Sequence, residues 1–451
     1  MTSPQAKTLD DFGYEQTLSR SLKLRDLVVY GLIFIVPIAP FGIFGHVLEA
    51  SDGMIVTAYV VGLIGMLFTA LSYAQMAERY PVAGSVYTYI SQSVRPELGF
   101  LAGWMMLLDY VLIPALLYVV GAEAVHDVFP VLPSAGLLVA FVIFNTWVNI
   151  RGIGFTAAFN QWMLAVELLV LAAFLIVGVW AIGTHVDGAR FSFAPIAGPH
   201  GFSLGVVISA VPIAVLSFLG FDGISTLSEE AEGGGPAIAK AIILVLLIIG
   251  GLFVAQTWVA ALIAPTAGRF SNLDTAFYDV AGTAGGPWLA WLTALTTAIA
   301  WGVADSLVAQ VATARLLFAM GRDRLLPNAL ARVHSQYRTP WLAALLVAVV
   351  SLIAGLGFMG HLALLTSMVT IGALAAFFVL NLAVIWAFYI GERSGRVVVH
   401  LICPLLGAAV IGYIGSGFDA RAVAVGGVWL LVGILIYTVA RARGREVRLE
   451  T

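Results

Sequence analysis

The stretch SFLGFDGISTLSEE, residues 217–230, places a carboxylate inside what is otherwise an apolar, membrane-type segment. The preceding residues, SLGVVISAVPIAVL (203–216), are almost entirely apolar, and Asp222 follows shortly after them. A charged side chain at the centre of a bilayer costs about 2.5–3.5 kcal/mol on insertion scales. An acid kept at such a cost predicts a functional site, in which a cation, a proton or water offsets the charge.

The composition of the whole chain identifies an integral membrane protein. Of its 451 residues, 61% are hydrophobic and 10% are charged, and the mean hydropathy is +1.00. Soluble domains contain about 25% charged residues. The single cysteine, Cys403, excludes an internal disulfide and a cysteine-ligated metal site. The sequence contains neither an HExxH metal motif nor a phosphate-binding loop, so we expect no enzyme activity, no metal, no cofactor and no nucleic-acid partner.

Twelve apolar segments approach or exceed the length of about 20 residues that a membrane-spanning helix needs. If both termini are cytoplasmic, every lysine and arginine lies on the cytoplasmic side or at a cytoplasmic helix end, except Arg190, Arg269 and Arg421. This distribution satisfies the positive-inside rule. The predicted spans are residues 25–50, 54–77, 98–122, 132–150, 157–183, 204–228, 238–264, 286–316, 340–357, 361–391, 397–415 and 422–440.

Two of these spans carry glycines and prolines near their middle, at comparable positions. The first span contains VPIAPFGIFG (36–45), and the sixth contains SFLGFDGIS (217–225). Proline removes a backbone donor and glycine weakens a helix, so we predict interruptions near Pro40–Gly42 and near Gly220–Asp222. Paired broken helices in corresponding halves are the best sequence pointer to the binding site of a secondary transporter.

The interior of the predicted spans is negatively charged. Its acids are Asp109, Glu167, Asp222 and Asp305, and no lysine or arginine lies in a span interior. Buried carboxyl groups need a cationic partner or protonation. The pattern therefore favours an amine-bearing solute and coupling to protons over an anionic substrate, and a channel or a scaffold has no comparable reason to bury these acids.

Several stretches resemble the amino acid–polyamine–organocation superfamily of permeases. SFLGFDGISTLSEE and the following AIAKAI (237–242) are similar to its sixth span, and TARLLFAMGRDRLLPNALARVHSQYRTP (313–340) to the end of its eighth span and the next loop. ERYPVAGSVYTYISQSVRPELGFLAGWMMLLDY (78–110) matches its loop between spans two and three. MVTIGALAAFFVLNLAV (368–384) matches its tenth span. Within the superfamily, the chain looks nearest to the bacterial putrescine importers.

The resemblance implies an all-α integral membrane protein with twelve transmembrane helices, built as in the leucine transporter. Two inverted five-helix repeats would be followed by two C-terminal helices, with helices 1 and 6 broken. The protein would import its substrate across the bacterial inner membrane, driven by the proton gradient. The expected parts are a cytoplasmic tail at 1–24, a transport domain at 25–440 with repeats at 25–183 and 204–391 and helices 11–12 at 397–440, and a basic cytoplasmic tail at 441–451.

The substrate is expected between the unwound parts of spans one and six. Backbone carbonyl groups freed at a helix break suit a cation, and an aromatic ring suits an ammonium group through a cation–π contact. The candidate substrate-binding residues are Ile38, Ala39, Gly42, Ser217, Phe218, Phe221, Asp222, Asp305 and Tyr110.

Two departures from the putrescine importers concern specificity. Those importers have an acid at the position of Gly42, and amino acid permeases have a small-residue stretch whose amides hold the substrate carboxylate; PFGIFG (40–45) lies between these patterns. Asp305 is acidic where the importers have a small residue. We predict that Asp222 and Asp305 bind the two ammonium groups of a diamine such as putrescine. A neutral or basic amino acid permease and an exchanger are the alternatives.

Glu167 is the predicted proton carrier. It lies in NQWMLAVELLVL (160–171), at the position where proton-driven permeases of the superfamily place a lysine. Apolar surroundings favour the protonated form of a carboxyl group, and Asp109 is the second candidate for this role. The expected partners are the proton as coupling ion, a small amine or amino acid, and the lipid bilayer, with the chain a monomer or a loose homo-oligomer. Sodium coupling and exchange are not distinguished from proton coupling by these residues.

Overall fold

A computed structural model gives the fold. It describes residues 17–442 with the exception of 130, 200, 265–269, 271, 274 and 419. The predicted cytoplasmic tails at 1–24 and 441–451 therefore lie largely outside the described residues.

The described chain is built from helices joined by turns, and one isolated parallel bridge joins Leu22 and Ala231. Short 3-10 or π-helical segments lie at Val186–Gly188, Phe221–Leu227, Ala300–Asp305, Asn328–Ala331, Ile385–Gly391 and Val398–Ile402. The α-helices are α1 Leu24–Ile35, α2 Pro40–Ala50, α3 Ile55–Arg79, α4 Ser85–Ser93, α5 Pro96–Val128, α6 Ser134–Ile150, α7 Ile153–Gly183, α8 Ala194–Ala197, α9 Leu204–Leu216, α10 Gly234–Ile263, α11 Ala276–Gly285, α12 Pro287–Ile299, α13 Ser306–Arg322, α14 Trp341–Phe358, α15 Leu362–Val384, α16 Cys403–Gly415 and α17 Ala420–Ala442.

The helices have the length and apolarity of membrane spans. Among the described residues, nine helices pass both criteria, and the bent pair α1–α2 makes a tenth. Two shorter apolar helices, Ser134–Ile150 and Val423–Val439, lie where the fourth and twelfth spans are predicted. A helix satisfies its backbone hydrogen bonds internally, as the hydrocarbon interior demands. The prediction of an all-α integral membrane protein is confirmed.

The first span is broken between α1 and α2, whose axes differ by 55°. Val36 has a φ of 62°, a left-handed conformation that strains a β-branched residue. α2 begins at Pro40. The break thus lies at Val36–Ala39, before the predicted Pro40–Gly42. The physical reason is that a proline at the first position of a helix starts it, because the missing amide has no helical partner there.

The sixth span is broken after α9. The chain leaves the helix at Leu216 and passes through turns to Gly220, whose φ of 111° favours glycine. The 3-10 segment Phe221–Leu227 follows. The break therefore includes the predicted stretch Gly220–Asp222, and it places Asp222 in the first turn after the interruption.

The two breaks pack directly against each other. A Cβ atom on Gly220 would lie 2.7 Å from the carbonyl oxygen of Phe34, and one on Gly223 would lie 2.0 Å from the Phe34 ring. Glycine at these positions therefore permits the close approach of two backbones. Phe34 is 3% exposed, so spans one and six meet in the interior of the protein.

Ion pairs tie the end of span six to α13. Arg315 donates two hydrogen bonds to the carboxylate of Glu230, and both side chains are buried. Arg322, further along α13, pairs with Glu229 at 2.9 Å. The amide of Leu22 donates to the backbone carbonyl of Glu230 at 2.9 Å, so the segment before α1 joins the same contact region. These contacts join the start of α1, the end of span six and α13.

Candidate functional site

Asp222 and Tyr110 are in direct contact. Asp222 is 2% exposed, and the hydroxyl of Tyr110, on α5, donates a hydrogen bond to its Oδ2 atom. The ring centroids of Tyr110 and Phe34 lie 6.5 Å apart, which places α5 beside both breaks. A phenol donor replaces part of the hydration that a buried carboxylate loses. Two of the predicted site residues are thus brought together at the break in span six.

The other predicted acids are buried as well. Asp109 is 5% exposed, Asp305 is 6% exposed and Glu167 is fully buried. The four acids lie on different elements: Asp222 follows the break in span six, Asp109 is on α5, Asp305 ends its π-helical segment and Glu167 is on α7.

Several oxygen atoms of these acids have no hydrogen-bond partner among the residues that the structure describes. They are one carboxylate oxygen of Asp109, one of Asp305 and both of Glu167. Buried polar atoms are nearly always paired, and an unpaired one costs about 1–3 kcal/mol. These carboxylate oxygens are therefore hydrogen-bond acceptors that are available to a bound donor.

Gln256, on α10, supplies a further acceptor that the sequence analysis does not single out. Its side-chain nitrogen donates to the backbone carbonyl of Pro37, in the break of span one, at 2.9 Å, and to that of Leu252 at 3.0 Å. Two carbonyl partners fix the orientation of the amide, and its oxygen has no partner within the described chain. The sequence feature that could have identified Gln256 is the presence of a glutamine inside the apolar run LFVAQTWVA (252–260).

The predicted backbone acceptors are partly used within the break itself. The carbonyl of Ile38 accepts a hydrogen bond from the amide of Phe41 at 2.9 Å, and that of Ala39 accepts one from Gly42 at 3.3 Å. The hydroxyl of Ser217 is bonded to a tyrosine hydroxyl on α3 at 3.2 Å. A carbonyl oxygen has two lone pairs, so Ile38 and Ala39 each keep one for a substrate donor.

The two predicted wall residues belong to different aromatic clusters. The ring centroids of Phe218 and Phe253, on α10, lie 5.1 Å apart. The ring centroid of Phe221 lies 5.5 Å from that of Tyr73, on α3, and 5.5 Å from that of Phe377, on α15. Phe221 therefore packs against α3 and α15, whereas Phe218 packs against α10.

The position of Gly42 leaves no room for a side chain. A Cβ atom there would lie 2.7 Å from the ring of Trp301, which belongs to the π-helical segment Ala300–Asp305. An acidic side chain at this position would require Trp301 to move. Asp305, at the end of the same segment, is the acid that this chain has nearest in sequence to Trp301.

The acids are not arranged as a chelating cluster. Within the described ranges, no three histidine, cysteine, aspartate or glutamate side chains lie close enough to hold a metal ion. Calcium needs at least six oxygen ligands around one point. Acids that do not converge on one point suit separate positive groups or protons.

Comparisons with known proteins agree with these features. The sequence profile of a family described as Amino acid permease matches residues 27–438. The low-affinity putrescine importer PlaP of Escherichia coli (strain K12) is 32% identical over 424 residues, which cover 93% of each chain. The branched-chain amino acid permease BcaP of Bacillus subtilis (strain 168) is 28% identical over 451 residues, covering 94% of this chain and 93% of that one. The methylthioribose transporter of the same strain is 26% identical, covering 96% and 95%.

The family match includes both broken spans and all four buried acids. The three relatives are named as an importer, a permease and a transporter, and their alignments cover nearly the whole of this chain. The superfamily predicted from the sequence motifs is thereby confirmed. This chain belongs to the amino acid permease family of membrane transporters.

Proposed function

We propose that this transporter is a proton-coupled importer of a small amine-bearing solute, with a diamine such as putrescine as the favoured substrate. It acts as a symporter in the bacterial inner membrane, as a monomer or a loose homo-oligomer, and needs no cofactor besides the proton. An amino acid permease or exchanger is the second candidate, and the similarity to BcaP favours it.

The observation that carries the proposal is the excess of unpartnered acceptors among the buried polar residues of the spans. Asp109, Asp305 and Glu167 have carboxylate oxygens without a donor in the described structure, and Gln256 has an amide oxygen in the same state. A diamine brings two ammonium groups with three donors each. Its positive charges also offset the cost of burying carboxylates. Asp222, in the break of span six, and Asp305, in the eighth span, are the proposed partners of the two ammonium groups.

The geometry at the start of α2 argues against a substrate carboxylate. A carboxylate at a half-helix end needs free backbone amides. The amides of Phe41 and Gly42 already donate to the carbonyls of Ile38 and Ala39. Trp301 also covers the open face of Gly42. Binding an amine at this end of the site therefore requires fewer rearrangements of the backbone and of Trp301 than binding an amino acid does.

We further propose the full transporter architecture of twelve spans with both termini cytoplasmic. The nine long helices, the bent pair and the two shorter apolar helices supply that number. Breaks in the first and sixth spans support inverted repeats at 25–183 and 204–391, followed by two helices at 397–440. The helices that are second in each repeat, α3 and α10, pack against each other, as related elements around a pseudo-two-fold axis do.

The diamine assignment predicts a selective loss in Asp305→Asn. In proteoliposomes with an inward proton gradient, we expect the variant to lose at least about thirtyfold in apparent affinity for putrescine, since losing one partner of a buried charge pair costs about 2–5 kcal/mol. Uptake of n-butylamine, which has the same chain and one ammonium group, should change little. Asp187→Asn, at an exposed position, is the control. Intact putrescine uptake by Asp305→Asn, or a wild type that carries only amino acids, would contradict the assignment.

The coupling assignment predicts a separate phenotype for Glu167→Gln. Glutamine has the shape of the protonated acid and cannot release a proton, so the variant should bind substrate and exchange it across the membrane. It should not accumulate substrate against a gradient, and its final internal concentration should only equal the external one. Labelled counterflow and gradient-driven uptake measure the two activities on the same vesicles. Full accumulation of substrate by Glu167→Gln would contradict this assignment, and Asp222 or Asp109 would then be the proton carrier.

A further inference from the structure

Asn160 is a buried amide that the substrate site does not use. It lies on α7 and is 1% exposed, and neither its nitrogen nor its oxygen has a hydrogen-bond partner among the described residues. The unpartnered atoms of the buried acids are acceptors, which call for a positive donor. Asn160 leaves both a donor and an acceptor unpaired, and the small molecule that satisfies both is water.

Asn160 lies between Glu167 and a polar surface patch. The two residues are separated by almost two helical turns, so they share one face of α7 about 10 Å apart. The neighbouring Gln161 donates to Asp26 at 3.0 Å and accepts from Arg25 at 3.2 Å. Asp26 lies in the first turn of α1. Asn160 is therefore close to the end of the protein at which α1 begins.

Leu164 separates the two polar residues. It follows Asn160 by four positions and precedes Glu167 by three, which places it on the same helical face between them. It is 7% exposed and packs in the main apolar core. A continuous file of water from Glu167 to Asn160 therefore requires Leu164 to give way.

We propose that Asn160 orders the water through which Glu167 releases its proton, with Leu164 as the barrier in this path. The carboxyl group of Glu167 gives its proton to a water molecule, and that molecule passes one of its own protons to the water held at Asn160. One proton then leaves to the aqueous phase beside Asp26, and Glu167 remains as a carboxylate. Asn160 itself takes no proton and is a positioning residue. This inference rests on the proposed role of Glu167.

The first test replaces Asn160 in proteoliposomes that contain a pH-sensitive dye. Asn160→Leu should slow substrate-driven internal acidification about tenfold, the change that a barrier increase of about 1.4 kcal/mol produces. Counterflow should change little, because exchange needs no net proton release. The fold should tolerate this change, since an unpaired polar group is replaced by an apolar one of similar size. Asn160→Ser, which keeps a donor and an acceptor for water, should acidify the vesicles nearly as fast as the wild type.

The second test removes the barrier. Leu164→Ala should speed substrate-driven internal acidification above the wild-type rate, because water then reaches Glu167 without displacing a side chain, and the double variant with Glu167→Gln should not acidify the vesicles. An unchanged rate in Leu164→Ala would overturn the role of Leu164 as the barrier. Wild-type acidification by Asn160→Leu, or equal slowing in Asn160→Ser, would overturn the role of Asn160. If Glu167→Gln also abolishes accumulation in that case, the proposed function stands and only this inference fails. If Glu167→Gln accumulates substrate fully, the coupling role and this inference both fail.

Discussion

Replacement of Asp222 by asparagine should weaken amine binding by at least about thirtyfold, since losing one partner of a buried, hydrogen-bonded charge pair costs about 2–5 kcal/mol. Asparagine keeps an oxygen that accepts the hydrogen bond from Tyr110, so the break should keep its shape while the charge is lost. The measurement is the binding of putrescine to the purified variant by calorimetry, with uptake in proteoliposomes as the second readout.

The chain offers a matched control for this variant. Asp323, just beyond α13, also accepts a hydrogen bond from a tyrosine, the hydroxyl of Tyr87, at 2.5 Å. Asp323→Asn therefore makes the same chemical change in the same kind of pair away from the breaks, and putrescine affinity should stay at the wild-type value. Tyr110→Phe removes only the donor and should have a smaller effect than Asp222→Asn. Wild-type affinity in Asp222→Asn would show that the substrate site lies elsewhere.

Sequence reasoning identified the features that destabilise a membrane-spanning helix and therefore need a compensating interaction. A carboxylate such as Asp222 in an apolar span needs compensation, and a glycine such as Gly220 in a span weakens its helix. Both signals can be read without knowing any neighbour, because the solvent around the helix is already known to be hydrocarbon. The approximate positions of the breaks and the burial of Asp109, Glu167 and Asp305 could therefore be predicted.

The features that sequence reasoning missed depend on contacts between distant parts of the chain. The break in span one falls at Val36 rather than at Pro40, since the strained φ of Val36 is a property of the folded backbone. The role of Gln256 requires knowing that Pro37, far away in sequence, presents a carbonyl to it. The space at Gly42 is decided by Trp301 on a different span. Helical periodicity does not reveal the Gln256–Pro37 and Gly42–Trp301 contacts, because each joins residues that are far apart in the sequence.

The second large effect is expected on stability. Arg315 and Glu230 form a buried ion pair at the end of span six, with side-chain exposures of 4% and 1%. Arg315→Met leaves Glu230 as a buried charge without its partner, which costs about 3–5 kcal/mol. We expect a large decrease in the apparent melting temperature of the detergent-purified protein, measured by the loss of its monodisperse peak in size-exclusion chromatography after heating.

Arg322→Met is the matched control, because it breaks the neighbouring ion pair on the same helix. The Arg322 side chain is 17% exposed, and Glu229 still accepts a hydrogen bond from the amide of Ala83 at 3.0 Å. The decrease in melting temperature should therefore be smaller for Arg322→Met than for Arg315→Met. The double variant Arg315→Met/Glu230→Gln removes both charges of the buried pair and should recover most of the lost stability, because the cost lies in the uncompensated charge rather than in the absence of the pair. Equal destabilisation by the single and the double variant would contradict this explanation and assign the effect to lost packing of the arginine stem.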